Sequence, residues 1–148
     1  MPDLKFVTFG AKHFDLYRKW SFHKAIHPWI GDPIQEWFDY VMTTPTCFTW
    51  MIYEGDTPVA HLEVAMLEDD HSHAQVVIII TPEKHRKGYG RRILKLMLSR
   101  QELATVKCFY AFIHRNNVAS IGLVTAMGYQ VTSPQPNEEG YLRYELKR

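Results

Sequence analysis

The sequence predicts an α/β fold of the α+β type, a single domain over residues 1–148 built on one mixed, mostly antiparallel sheet. Three observations point there. A length of 148 residues suits one domain with a substantial core. Two strand-like runs, Thr46 to Tyr53 and Pro58 to Leu67, flank Glu54-Gly55-Asp56-Thr57, which reads as a hairpin turn. Helical and strand-like patterns then alternate to the end of the chain.

Taken in order, Leu4 to Phe9 reads as a first strand and Asp15 to Ala25 as a helix. His27-Pro28 interrupts it, because the residue before a proline disfavours the helical conformation. Asp32-Pro33 opens a second helix. Asp is a good N-cap, Pro suits the first helical position, and Gln35 stands where a capping box wants Glu or Gln. Ile34, Trp37, Phe38 and Val41 form its apolar stripe. After the hairpin, Glu68 to His73 is expected as a polar loop. Ala74 to Thr81 carries the unbroken run Val76-Val77-Ile78-Ile79-Ile80, which suits a central strand covered on both faces. Gly90 to Leu103 reads as a helix with Ile93, Leu94, Met97 and Leu98 on its apolar side. Val106 to Ile113 is a further strand. Asn117 caps a last helix that Gly128 ends. Tyr129 to Val131 and Gly140 to Leu146 close the sheet, joined across Pro134 and Pro136.

Composition narrows the function. Hydrophobic residues at 46% and charged residues at 22% are those of an ordinary globular protein. A net charge of +1 argues against a nucleic acid or an anionic membrane as main partner, since one sign of charge should then dominate. The first residues lack a basic stretch followed by an apolar one, so no signal peptide is expected. The longest apolar run, Val76 to Ile80, is far too short to span a membrane. Cys47 and Cys108 lie in apolar strand-like segments and read as buried thiols of a reducing cytoplasm, not a disulfide. A cytoplasmic location is the expectation.

The strongest local signal is Thr81-Pro82-Glu83-Lys84-His85-Arg86-Lys87-Gly88-Tyr89-Gly90-Arg91-Arg92. A buried strand leads in and an amphipathic helix leads out. Glycines allow a tight turn with amides near a ligand. A helix start supplies unpaired N–H groups and a positive dipole end. Arg86, Lys87, Arg91 and Arg92 add charge. These are the features of a pyrophosphate site. The dinucleotide fingerprint fits worse, because it needs three glycines at the first strand of a βαβ unit. The ATPase P-loop needs Gly-Lys-Ser/Thr, which Gly90-Arg91-Arg92 does not supply.

The segment resembles the acyl-CoA-binding motif of the GNAT N-acetyltransferase superfamily, Q/R-x-x-G-x-G/A, with Gly88 and Gly90 matching and His85 in the Q/R position. A second stretch, His114 to Tyr129, is similar to that superfamily's later block, N-x-x-S/A followed by an apolar helix and Gly-Phe/Tyr. Asn117, Ala119, Ser120, Leu123, Gly128 and Tyr129 fit it. The resemblance is good over Val59 to Tyr129 and weak over the first forty or so residues. It implies helices on both faces of the sheet, with parallel fourth and fifth strands that splay apart. It implies acetyl-CoA, or another short acyl-CoA, as co-substrate and no metal. The pantetheine arm then lies along Ile78, Ile79 and Ile80. His85, Arg86, Lys87, Gly88, Tyr89, Gly90 and Arg91 are expected around the phosphates, with Asn117 and Ser120 nearby. The acceptor is a primary amine of a small molecule or peptide; a homodimer is left open.

Acyl transfer to an amine needs a neutral amine, a polarised carbonyl and a thiolate that can leave. No Ser-His-Asp or Cys-His arrangement is visible, so direct attack in a ternary complex is expected, with a backbone N–H near Ile79 or Ile80 on the carbonyl. On the third strand Ala60, Leu62, Val64 and Met66 share one face, and His61 and Glu63 share the other. Glu63 is the first candidate base and His61 the second, against a merely solvated strand face. The superfamily often has Tyr where this chain has Val124, which leaves the general acid open among Ser120, Tyr110 and water. It also leaves open a non-catalytic acyl-CoA-binding module. His71 and His73 beside Asp69 and Asp70 lack a third zinc-like ligand and read as a solvated loop. Trp20, Trp29, Trp37, Phe38 and Tyr40 fit either an acceptor pocket or core.

Overall fold

The computed structural model describes residues 3–133 and 135–148. Its elements are β1 (Leu4–Thr8), α1 (Phe14–Ser21), α2 (Gln35–Thr43), β2 (Cys47–Glu54), β3 (Thr57–Leu67), β4 (Asp70–Ile80), α3 (Tyr89–Met97), β5 (Cys108–His114), α4 (Val118–Ala126), β6 (Gln130–Val131) and β7 (Tyr141–Lys147). Among the described residues seven strands form one sheet in the order β1-β2-β3-β4-β5-β7-β6. The predicted fold class and element order hold. β1–β2, β2–β3, β5–β7 and β6–β7 pair antiparallel, and β4–β5 pair parallel. The parallel register joins His73, Ala74 and Gln75 to Cys108, Phe109 and Tyr110.

The chain divides into two compact units, one of residues up to Ala65 with Val77–Tyr89, the other of Met66–Val76 with Gly90–Arg148. In the first, the hairpin of β2 and β3 pairs from Cys47↔Ala65 to Glu54↔Thr57 with a register shift between Ile52 and Tyr53, and Gly55 takes the left-handed turn position at φ 62°. Its core joins Phe9, Tyr17, Trp20, Ile26, Val41, Cys47, Met51 and Ile79, with Phe14, Trp37 and Phe38 packed against it. Each large apolar side chain buried there contributes about 1.5–3 kcal/mol. In the second unit Ile93, Leu94 and Met97 of α3 are buried, as are Leu103, Val106, Phe109 and Val124. The Arg148 guanidinium donates to the carbonyls of Leu98 (2.7 Å), Leu103 (2.6 Å) and Val106 (2.8 Å), holding the stretch between α3 and β5.

Several boundaries move. α1 stops at Ser21, whose hydroxyl donates to the Tyr17 carbonyl at 2.8 Å, four residues short of the expected end at Ala25. α2 starts at Gln35 with Ile34 as its N-cap and no side-chain cap. Asp32 instead meets His27 Nε2 at 2.8 Å, so the proposed capping box does not form. Ile34 is exposed and outside the stripe, which Trp37, Phe38 and Val41 supply. Asp70 to His73 belong to β4, not to a loop; the turn is only residues 68–69. α3 ends at Met97 and a 3-10 turn, Gln101–Leu103, covers the end of the expected helix. Val77, Ile78 and Ile80 are half-buried, so the apolar run is less covered than its composition suggests. Pro134 lies outside the described residues.

Candidate active site

The glycine-bearing loop sits between the end of β4 and the start of α3. Thr81 N donates to the Val59 carbonyl at 2.8 Å, fixing the loop's first residue to β3. A 3-10 turn over Pro82–Lys84 follows. Arg86 at φ 62° and Gly88 at φ 82° both take the left-handed conformation. Alternation of left-handed residues with their neighbours turns successive amides toward one side, the geometry of an anion-binding nest. Tyr89 then begins α3, whose first amides lack intrahelical partners. Arg86, Lys87, Gly88 and Arg91 are exposed. A Cβ built on Gly88 meets no atom within 4 Å, so the space beside its backbone is open. The residues fit a phosphate-bearing co-substrate.

The two glycines differ in role. Gly88 needs its positive φ; Gly90 needs closeness, since a Cβ there would lie 2.8 Å from Leu123 Cδ2 of α4. His85 turns inward, its Nε2–H donating to the Ile80 carbonyl at 2.8 Å. It holds the loop against the last residue of β4. Tyr89 is buried, and its phenol donates to both carboxylate oxygens of Glu54, each at 2.8 Å. Lys84 Nζ lies 3.7 Å from the same carboxylate. Nothing local in the sequence indicated Glu54.

His61 and Glu63 are not on a solvated face. Both point at rings brought by α1, α2 and the residue after β1. His61 is 1% exposed, with ring centroids of Phe9 at 4.6 Å, Tyr17 at 4.7 Å and Trp37 at 5.8 Å, all roughly edge-to-face. Neither of its nitrogens has a hydrogen-bond partner among the described residues. Burial first, and the charge of His13 second, hold its pKa down to about 3. Trp37 Nε1 donates to Glu63 Oε1 at 3.1 Å. Burial raises the Glu63 carboxyl above its ordinary value, and the Trp37 bond offsets part of that rise. Trp37 also stacks on Tyr17 at 4.5 Å. Of the aromatic group left open by the sequence, Trp20 is core, Trp37 and Phe38 pack on the core, and Tyr40 is exposed.

Nucleophilic cysteine chemistry has no support. Cys47 and Cys108 are free and buried, and burial pushes the Cys47 thiol up to about 12. Asn117 does cap α4, its Oδ1 accepting from Ser120 N at 3.3 Å. Val124 is buried. The Tyr110 ring lies 3.9 Å under the Arg143 guanidinium.

The acetyltransferase (GNAT) family model matches residues 13–129. The chain belongs to the GNAT family. Its match begins well before the stretch where the sequence resemblance was good, and takes in both α1 and α2. Among curated relatives, an uncharacterized N-acetyltransferase of Bacillus subtilis (strain 168), YfmK, is 25% identical over 146 residues, 99% of this chain and 91% of the relative. Two solved structures share the fold. The aminoglycoside N(6')acetyltransferase of Legionella pneumophila superposes with a TM-score of 0.79 at 14% identity, covering 99% of this chain and 93% of that one. The spermidine N-acetyltransferase of Vibrio cholerae, in complex with CoA and spermine, gives 0.77 at 14% identity, covering 97% and 95%. No helix among the described residues is long and apolar enough to cross a membrane.

Proposed function

We propose that this GNAT protein transfers an acetyl group from acetyl-CoA to a primary amine of a small molecule or peptide, by direct attack in a ternary complex. The observation that carries the reading is the 85–91 loop. It has two left-handed residues, an open flank at Gly88 and a helix that begins at Tyr89, beside exposed Arg86 and Lys87. Acetyl-CoA supplies the activated acyl group. The loop amides and Arg86, Lys87 and Arg91 hold its pyrophosphate. The end of β4, with Ile78 and Ile80 half-buried and Ile79 buried between them, offers backbone to the pantetheine arm much as to an added strand. An amide near Ile79 or Ile80 donates to the thioester oxygen. Asn117 and Ser120 order the start of α4.

Glu63 takes the proton from the ammonium acceptor, directly or through one water, so that the neutral amine attacks. A carboxyl raised by burial suits that task better than an ordinary one, because its basicity is nearer to that of the working pH. His61 is the weaker base, being held neutral far below neutral pH. The unlike acceptors named for the two fold neighbours, an aminoglycoside and a polyamine, support an amine as the class and leave its identity to the α1–α2 region. We place the protein in the cytoplasm.

Buried Val124 favours a second reading, an acyl-CoA-binding module without turnover, since no phenol is offered at that position. One experiment separates the two. Acetyl-CoA should raise the melting temperature under both readings, by mass action. Release of free CoA thiol should then depend on an added amine from a panel of polyamines, aminoglycosides, amino acids and peptides. Tight binding with no release across the panel selects the binding module.

A further inference from the structure

We propose that Glu54 is a positioning residue for the acyl-CoA pyrophosphate loop, acting through the Tyr89 phenol; this rests on the phosphate-loop reading. Glu54 is the last residue of β2, held by pairing with Leu4 on one side and Thr57 on the other. It is therefore a fixed point on the sheet. Tyr89 is the first residue of α3 and gives its phenol to both Glu54 oxygens at 2.8 Å. Lys84, just before the loop, lies 3.7 Å from the same carboxylate and 5.4 Å from the centroid of the Tyr89 ring. One carboxylate thus fastens residues on both sides of His85-Arg86-Lys87-Gly88.

Those four residues need fastening. Arg86 is held at φ 62°, a conformation that a residue with a Cβ disfavours and that surrounding contacts must impose. If Tyr89 loses its anchor, the loop before it is free to relax. A carboxylate near an anion site would otherwise weaken binding by repulsion. The phenol hydrogen shared between its two oxygens, and Lys84 beside it, explain its presence there as an anchor.

The apparent affinity of a ligand falls with the fraction of protein in the competent conformation. Tyr89→Phe removes the phenol and changes no charge. It should weaken CoA binding by about tenfold, the size of one charge-assisted hydrogen bond. Glu54→Gln should weaken it in the same direction, and the double variant should lose less than the sum of the two single losses, since both substitutions break the Tyr89–Glu54 link. S-Acetylpantetheine, which lacks the pyrophosphate, should bind parent and variants alike, a result that a general loss of structure would not give. Melting temperatures identify any variant that fails to fold, and the milder Glu54→Gln then carries the comparison. CoA affinity unchanged in Tyr89→Phe, additive losses in the double variant, or an equal loss for S-acetylpantetheine would each overturn the proposal. Gly88→Val separates the two levels. If it binds CoA like the parent, the phosphate-loop reading falls and this inference with it. If Gly88→Val loses CoA while Tyr89→Phe does not, the loop reading stands and Glu54 has no positioning role.

Discussion

His61 gives the most quantitative prediction. Its imidazole is fully buried among Phe9, Tyr17 and Trp37, with neither nitrogen hydrogen-bonded among the described residues. In the fold its pKa lies at about 3 against an ordinary 6.5. As pH falls below the ordinary value the unfolded chain takes up a proton that the fold refuses, so stability is present above that value and is lost on acidification. Between pH 7.5 and pH 5 the loss from this one residue is about 2 kcal/mol, and it is insensitive to how far below 5 the folded value lies. For a chain of this length that is about 4–8 °C in melting temperature. His61→Leu should remove this component. At neutral pH two opposing effects nearly cancel. Two unsatisfied buried nitrogens disappear, worth about 1–3 kcal/mol each, and three edge-to-face contacts are lost, worth about 0.5–1.5 kcal/mol each. The clean readout is therefore the difference between parent and variant as pH falls, followed by thermal unfolding. His13, whose pKa burial also lowers, contributes equally to both proteins and drops out. Parallel melting curves from pH 7.5 to pH 5 would instead mean that the ring is protonated or wet in the folded state.

Three further outcomes are expected. Glu63→Gln should preserve CoA binding and lower turnover by about a hundredfold at neutral pH. The parent's rate should rise through a carboxyl pKa above the ordinary range, as burial of Glu63 requires, and the variant should lack that limb and recover as pH approaches the pKa of the amine. An unchanged pH–rate profile would remove Glu63 from the mechanism. Asn117→Ala should cost about 1 kcal/mol in chemical denaturation and Asn117→Asp almost nothing, since Asp caps equally well; equal losses would show that the cap is not its contribution. Arg148→Met should cost about 1 kcal/mol, a discounted value for an exposed guanidinium that donates to three carbonyls, and a wild-type melting temperature would show those bonds to be worth nothing in water.

What the sequence revealed and what it hid follow from the range of the interactions. The loop, the Asn117 cap and the hairpin at Gly55 are built from residues adjacent in the chain, and their signals are local. Alternation along β3 correctly put His61 and Glu63 on one face, but periodicity cannot say what covers that face. The cover comes from Tyr17, Trp37 and Phe9, far away in sequence, and it makes an aromatic cluster where the sequence alone allowed a solvated strand face. Glu54 and Tyr89 are separated by 35 residues, beyond any local pattern. The failed cap at Asp32 has a different cause. His27, five residues earlier, competes for its carboxylate, and a helix that begins at Gln35 starts too late for Asp32 to reach.

Under the proposed function an acetyl group passes from acetyl-CoA straight to an amine. Mixing the protein with acetyl-labelled acetyl-CoA in a single turnover, with each amine of the panel in excess, tests it most directly. Direct transfer should leave label on an amine product, none on the protein, and free CoA thiol in equal amount to the product. Label left covalently on the protein, or CoA bound tightly with no labelled amine from any member of the panel, would contradict it.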